Sequence, residues 1–319
     1  MNHPILSRFI KYNKSIFHYN NINTFRKSSK HANDKNNKIR ENIIGAIINN
    51  KIPAEFYTDA NTDANTTANT NANEWTRLKT SLFNFIHILN NKFDKIECIH
   101  KGGRMYHYDF IIKTYNGDTI QEFNIELKFN ASTLQNAPQF VSPMKPSQYL
   151  NKSFENYYYD SYLKELSDVA KFPLPSKENY IAQIHSNNPR CLKEYQELYY
   201  KGCKSSSKYT NDDTAVKFYN FCKDISKKSI ASFITQTDLD IEKLSNYLYT
   251  TQKNKIYMLY SNNKFNIEYV DINDYKIESV TKNPSKSRYE CISINKKKIN
   301  VLLRWKNGNG IAFPAFQIS

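Results

Sequence analysis

Residues 102–130 read GGRMYHYDFIIKTYNGDTIQEFNIELKFN, which is the pattern of two β-strands around a tight turn. Asn116-Gly117 is a strong hairpin signal, because a type I′ turn needs positive φ at both central residues. The first strand is predicted over roughly Tyr106–Thr114 and the second over Thr119–Phe129. In the second, Asn124, Glu126 and Lys128 alternate with Phe123, Ile125, Leu127 and Phe129, so one face is polar and the other apolar. With Asn116-Gly117 as the turn, Asp109 falls opposite Asn124; a four-residue loop with the neighbouring register puts it opposite Glu126. On either register Asp109, Glu126 and Lys128 share a face, unless a bulge intervenes.

Carboxylates held close on a sheet repel, which raises one pKa unless a cation lies between them. A hard divalent ion bound by one or two carboxylates, a backbone carbonyl and waters resolves the conflict. Such an ion lowers the pKa of bound water and clamps a phosphoryl oxygen. A neighbouring lysine then orients the water or neutralises charge on the phosphate.

The constellation resembles the PD-(D/E)XK nuclease superfamily, the restriction-endonuclease-like fold, through Asp109 and Glu126-Leu127-Lys128 on a hairpin. The resemblance implies that Asp109 and Glu126 bind Mg²⁺ (or Mn²⁺), that the Leu127 carbonyl completes the protein ligands, and that Lys128 serves the water. Tyr108 stands where the motif's name has proline. The resemblance covers about Glu74–Phe140. A first-helix glutamate often reaches the metal in this superfamily, which makes Glu74 a weaker candidate; a capping box with Asn71 explains Glu74 equally well. A glutamine on the helix after the Glu-x-Lys strand is common in some members, which singles out Gln139, with Ser132 and Gln135 as a cap for that helix. Glu126-Leu127-Lys128 is the sole Glu-x-Lys in the chain, and the decoy Asp274-Tyr275-Lys276 lies in a polar stretch without an upstream Asp in register.

The chain of 319 residues carries a net charge of +15, which points to a polyanionic partner. DNA is the expected one, with RNA left open. Its richness in Asn, Lys, Ile and Tyr matches an AT-rich coding sequence, so the charge is supporting evidence only. No run of about 18 apolar residues is present to span a membrane. The five cysteines form no C-x-x-C pair and no Cys/His cluster with zinc-finger spacing, which suits a reducing, intracellular compartment without structural zinc. The seven histidines are dispersed, leaving no framework for nucleophile–histidine catalysis. His107 lies two residues before Asp109, on the same face, and reads more readily as a partly solvated strand histidine than as a phosphate contact.

Outward from the hairpin, residues 1–57 read as a basic N-terminal arm and an amphipathic helix over Lys38–Asn50, with Ile39, Ile43, Ile44, Ile47 and Ile48 at helical spacing. Thr58–Asn73, TDANTDANTTANTNAN, has no large apolar side chain and reads as a low-complexity linker. Residues 74–319 are expected as one nuclease-like domain: a core over 74–140, a helical region over 147–250 and a C-terminal β region over 255–319. In the core, Glu74–Phe93 is a helix with Trp75, Leu78, Leu82, Phe85, Ile86, Leu89 and Phe93 on one stripe. Lys95–His100 is a strand, and Arg104 in the following glycine turn could touch a phosphate.

Beyond the hairpin, helices are expected over Lys152–Ala170, near Pro189–Tyr200, and over Asp212–Phe233 and Asp238–Tyr249, with a strand at Tyr180–Ile184. Lys255–Tyr260 and Phe265–Val270 form a hairpin, and Arg288–Asn295, Ile299–Trp305 and Ile311–Ile318 a meander, with Arg304 and Lys306 as weaker phosphate contacts. The fold class is mixed α/β. The expected function is Mg²⁺-dependent hydrolysis of phosphodiester bonds in DNA, endo- or exonucleolytic, with a homodimer one route to two-strand cutting. The rivals are a non-catalytic nucleic-acid-binding protein using charge and aromatic stacking, and a scaffold protein with neither activity.

Overall fold

The computed structural model describes residues 9–13, 15–26, 33–58, 67–102, 106–134, 145–186, 211–306, 310 and 313–319. Among these are seven α-helices and three β-sheets, one of them mixed, so the chain is a mixed α/β protein. No helix among the described residues is long and apolar enough to cross a membrane. The chain divides into two units: residues 1–137 with 252–270, and residues 138–251 with 271–319.

The first unit begins with a two-stranded hairpin, β1 (Phe9–Tyr12) and β2 (Ser15–His18), followed by a 3₁₀ segment over Tyr19–Phe25. These residues were expected as part of a basic arm; instead Ile10, Phe17, Tyr19, Ile22 and Phe25 are buried in the same core as the helices and the sheet. Their apolar area outweighs the basic residues between them. Two contacts fix the segment: the Trp75 indole N–H donates to the Tyr19 carbonyl at 3.1 Å, and the Arg40 guanidinium donates to the Thr24 carbonyl while lying 3.4 Å from the Phe129 ring centroid.

Helix α1 spans Asn33–Ile48 and buries Ile43, Ile44, Ile47 and Ile48, as their spacing requires. Helix α2 spans Thr67–Leu89, so it starts two turns before the expected Glu74 and absorbs the second half of the low-complexity stretch. Tertiary contacts overrule the composition there: Ala72 and Asn71 are buried, and the Asn71 amide donates to Asn20. Asn71 is therefore inside the helix and not at its cap.

The sheet of this unit runs in the order β3 (Lys95–His100), β4 (Phe110–Asn116), β5 (Thr119–Phe129), β6 (Lys255–Ser261), β7 (Lys264–Tyr269). All neighbours are antiparallel except β5 and β6, which are parallel. The β4–β5 turn differs from the expected one. Asn116 pairs with Thr119, so Gly117 and Asp118 are the central residues, and of the two only Gly117 has positive φ (54°). Glycine at the first central position suits the II′ type, which needs one positive φ instead of two.

The C-terminus of α1 covers edge strand β3. The Asn49 side chain accepts from the Cys98 N–H and donates to the Cys98 carbonyl, both at 2.8 Å, which supplies a missing ladder partner. Close packing here favours glycine at Gly45, in the last turn of α1. A Cβ at Gly45 would collide with His100 Nε2 and lie 2.8 Å from the Tyr12 hydroxyl. Gly45→Ala should therefore destabilise by about 1–3 kcal/mol through overpacking, against the usual gain of roughly 1 kcal/mol for Gly→Ala in a helix. A lowered urea midpoint checks this; a raised one contradicts it.

In the second unit, α3 (Phe154–Tyr158) continues through a π-turn (Tyr159–Leu163) into α4 (Lys164–Ala170). The expected strand at Tyr180–Ile184 is helical and belongs to α5, Lys177–Ile184. Ser176 caps that helix, and Tyr180 and Ile184, one turn apart, are both fully buried, a period the short apolar run did not disclose. Helices α6 (Asp213–Thr235) and α7 (Ile241–Gln252) follow, and the region expected as a helix near Pro189–Tyr200 lies outside the described residues. The sheet order is β11 (Pro314–Ile318), β10 (Lys298–Trp305), β9 (Arg288–Ser293), β8 (Ile277–Asn283), all antiparallel. Strand β8 was not anticipated. It is an edge strand exposed on both faces from Glu278 to Lys282, so it carries no alternation to read.

Candidate active site

The β4–β5 register extended by one residue sets Asp109 against Glu126, the second of the two registers the sequence left open. At Asp109 the ladder distorts. Its carbonyl accepts from Lys101 N–H (2.8 Å), beyond β3, while its own N–H donates to the Ile125 carbonyl on β5 (2.9 Å). An undistorted residue directs both groups to one neighbour. The distortion brings the side chain over β5, where Asp109 Oδ2 accepts from Leu127 N–H at 2.8 Å. The Leu127 carbonyl, on the same residue of an extended strand, faces the same edge as that N–H.

Glu126 is held by two lysines. Lys128 Nζ is 2.6 Å from Oε1, and Lys255 Nζ, at the first residue of β6, is 3.4 Å from Oε2. Lys255 pairs with Asn124 in the parallel β5–β6 ladder, which puts its side chain on the Glu126 face. Glu41, on α1, is a third carboxylate within electrostatic reach of both Asp109 and Glu126.

The electrostatics follow from burial and crowding. Burial, then the Glu126 charge, push Asp109 up to about 6, against the opposing pull of the Leu127 N–H, Lys128 and Lys255. Burial, then Asp109, push Glu41 up to about 8. Burial pulls Lys255 down in spite of Glu126, and burial with the Lys255 charge pulls His107 down. Three carboxylates with two ammonium groups have a net charge of −1 when all are ionised, and that repulsion adds to burial in raising Asp109 and Glu41. The donor set is oxygen throughout, which suits a hard divalent cation. Among the described residues no three His, Cys, Asp or Glu side chains converge to enclose a metal ion. A Mg²⁺ ion, which keeps several waters, needs only one or two carboxylates and does not require such a cage.

The other candidates lie elsewhere or outside the described residues. Glu74 pairs with Arg26 at 2.9 Å and with Arg77 at 3.9 Å, and is not among the charges acting on Asp109. Arg104 and Gln139, with Gln135 of the expected cap, fall outside the described residues. Arg304 is engaged across β10–β11 with Gln317, and Lys306 is exposed just past β10; both belong to the second unit. The decoy Asp274 is bound to Lys297 at 3.0 Å.

Sequence reasoning missed Glu41 and Lys255. Each had a signal: Glu41 is the one acid within the isoleucine-rich turns of α1, and Lys255 shares the alternation of KIYMLY with Tyr257 and Leu259, which are buried. No protein-family model matches the chain, and no curated protein is similar to it.

Proposed function

We propose that the chain is a Mg²⁺-dependent nuclease that hydrolyses phosphodiester bonds in DNA, built on a restriction-endonuclease-like core formed by α2 and the β3–β7 sheet. The observation that carries the reading is the meeting of Asp109, Glu126 and Lys128 at one end of a mixed sheet, with both carboxylates in contact with basic or amide groups and Asp109 pushed up to about 6. A solvated charged face would not bury and perturb a carboxyl group as Asp109 is buried and perturbed here.

Asp109, Glu126 and the Leu127 carbonyl would hold the ion, with Glu41 adding a third carboxylate to the charge that attracts it. When bound, Mg²⁺ supplies polarisation of a phosphoryl oxygen and a water of lowered pKa. The chain's own groups do the rest. The Leu127 N–H fixes the Asp109 carboxylate through Oδ2 and leaves Oδ1 for the ligand. Lys128, on the polar face two residues from Glu126, orients the attacking water in line with phosphorus. The net charge of +15 favours association with the polyanion.

The test is cleavage of supercoiled and linear DNA with Mg²⁺ or Mn²⁺, against EDTA and Lys128→Ala. Metal-dependent cutting that falls by about 10²-fold in Lys128→Ala is the expected result. Cutting that survives the substitution places the chemistry elsewhere. No cutting, with salt-sensitive DNA binding retained, favours the non-catalytic binder.

A further inference from the structure

The two lysines on Glu126 differ in one respect that matters. The Lys128 side chain is 17 % exposed, whereas that of Lys255 is 1 % exposed. A buried ammonium group carries a desolvation penalty that packing does not require here, since the next two residues of β6 on that face, Tyr257 and Leu259, are buried without charge. An unbranched apolar side chain would fill the same volume. Lys255 also acts on both members of the carboxylate pair, contacting Glu126 and opposing the rise in Asp109. It comes from the strand that re-enters the sheet after residues 138–251, so no local turn geometry accounts for it.

We infer that Lys255 is a positioning residue for the site: its buried ammonium group holds Oε2 of Glu126 throughout turnover, so that when a cation takes the place of Lys128 at Oε1 the carboxylate keeps its orientation and Lys128 turns to the substrate. This rests on the nuclease reading. It assigns the two lysines separate duties: Lys128 meets the water, and Lys255 fixes the carboxylate and sets how strongly the site attracts a divalent ion. The two effects of Lys255 on the reaction oppose one another. Its contact aligns Glu126, which favours catalysis, while its charge repels the ion, which weakens metal affinity.

The opposition supplies the test. Mn²⁺ binding is measured by electron paramagnetic resonance on the whole chain, on Lys255→Met and Lys255→Arg, and on Asp109→Asn as the control that marks the site; kcat and KM on DNA are measured in parallel. Removing a unit charge a few ångströms from a divalent ion should tighten Mn²⁺ binding by about tenfold in Lys255→Met, even at the screening of water. In the same variant kcat should fall by about tenfold with KM for DNA unchanged. Lys255→Arg should keep the parent Mn²⁺ affinity. If Lys255→Met does not fold, Lys255→Gln replaces it and should show the same tightening. Mn²⁺ binding that depends on Asp109 but is unchanged or weaker without the Lys255 charge overturns this inference and leaves the nuclease reading standing. No Asp109-dependent Mn²⁺ binding in the parent overturns both.

Discussion

Asp109→Asn should abolish metal-dependent cleavage, by about 10³-fold or more, and at the same time make the metal-free protein more stable. The two outcomes have one cause. The asparagine Oδ1 can still accept the Leu127 N–H that Asp109 Oδ2 accepts at 2.8 Å, so the local geometry survives. What is lost is a charge that burial and Glu126 both disfavour, to the extent of raising Asp109 from 3.8 to about 6. The raised folded pKa fixes the sign of the pH dependence: the contribution of Asp109 to stability is full below its unfolded value and is lost as pH rises through about 6. The variant's advantage should thus be absent near pH 3 and reach about 1–3 kcal/mol at pH 7 in EDTA. Thermal melts at the two pH values measure it. Addition of Mg²⁺ should raise the melting temperature of the parent and leave that of Asp109→Asn unmoved. A variant less stable than its parent at pH 7 in EDTA would show that the carboxylate is satisfied without a cation.

Glu41→Gln should lower cleavage by about 10²–10³-fold while changing metal-free stability at pH 7 by less than about 1 kcal/mol. Glu41 is pushed up to about 8 by burial, by Asp109 and by Glu126, so without a cation it is mostly protonated at neutral pH. Glutamine copies that neutral form in shape and charge; what it cannot copy is the ionised form a divalent ion would draw out. Glu74→Gln is the matched comparison. Its carboxylate is committed to Arg26 and Arg77, so that variant should keep cleavage within about twofold and lose the modest worth of a partly exposed ion pair. Rates on supercoiled DNA distinguish the two glutamates. Equal losses would show that α1 contributes nothing specific to the chemistry.

The parts of the fold legible in the sequence were those whose information is local. The β4–β5 hairpin, the stripe of α2 and the β6–β7 hairpin each declare themselves within about 20 residues through a single period. Asp109, Glu126 and Lys128 came together on paper because one hairpin carries all three. The turn was misplaced by one residue, since Asn116-Gly117 and Gly117-Asp118 are both good turn pairs and the choice lies in ladder pairing. Lys255 and Glu41 were hidden for a different reason. One arrives on a strand that pairs with β5 only after the chain has passed through residues 138–251, and the other on a helix that precedes the low-complexity stretch. The apolar residues around each mark it as a charge in a buried setting, but nothing beside it says which carboxylates it meets. The partner of Asn71, near the start of α2, is also remote: its amide donates to Asn20 in the 3₁₀ segment before α1.

The parallel pairing of β5 with β6 has a consequence for the life of the chain on the ribosome. Strand β5 is complete at Phe129, but its outer edge finds its partner only when residues 255–261 have been made. At about 5–20 residues per second the wait is on the order of ten seconds. Through that interval a long strand bearing Phe123, Ile125, Leu127 and Phe129 has one unpaired rim, the condition that invites wrong partners. The candidate site is unfinished over the same interval, because Lys255 is the last of its residues to be synthesised.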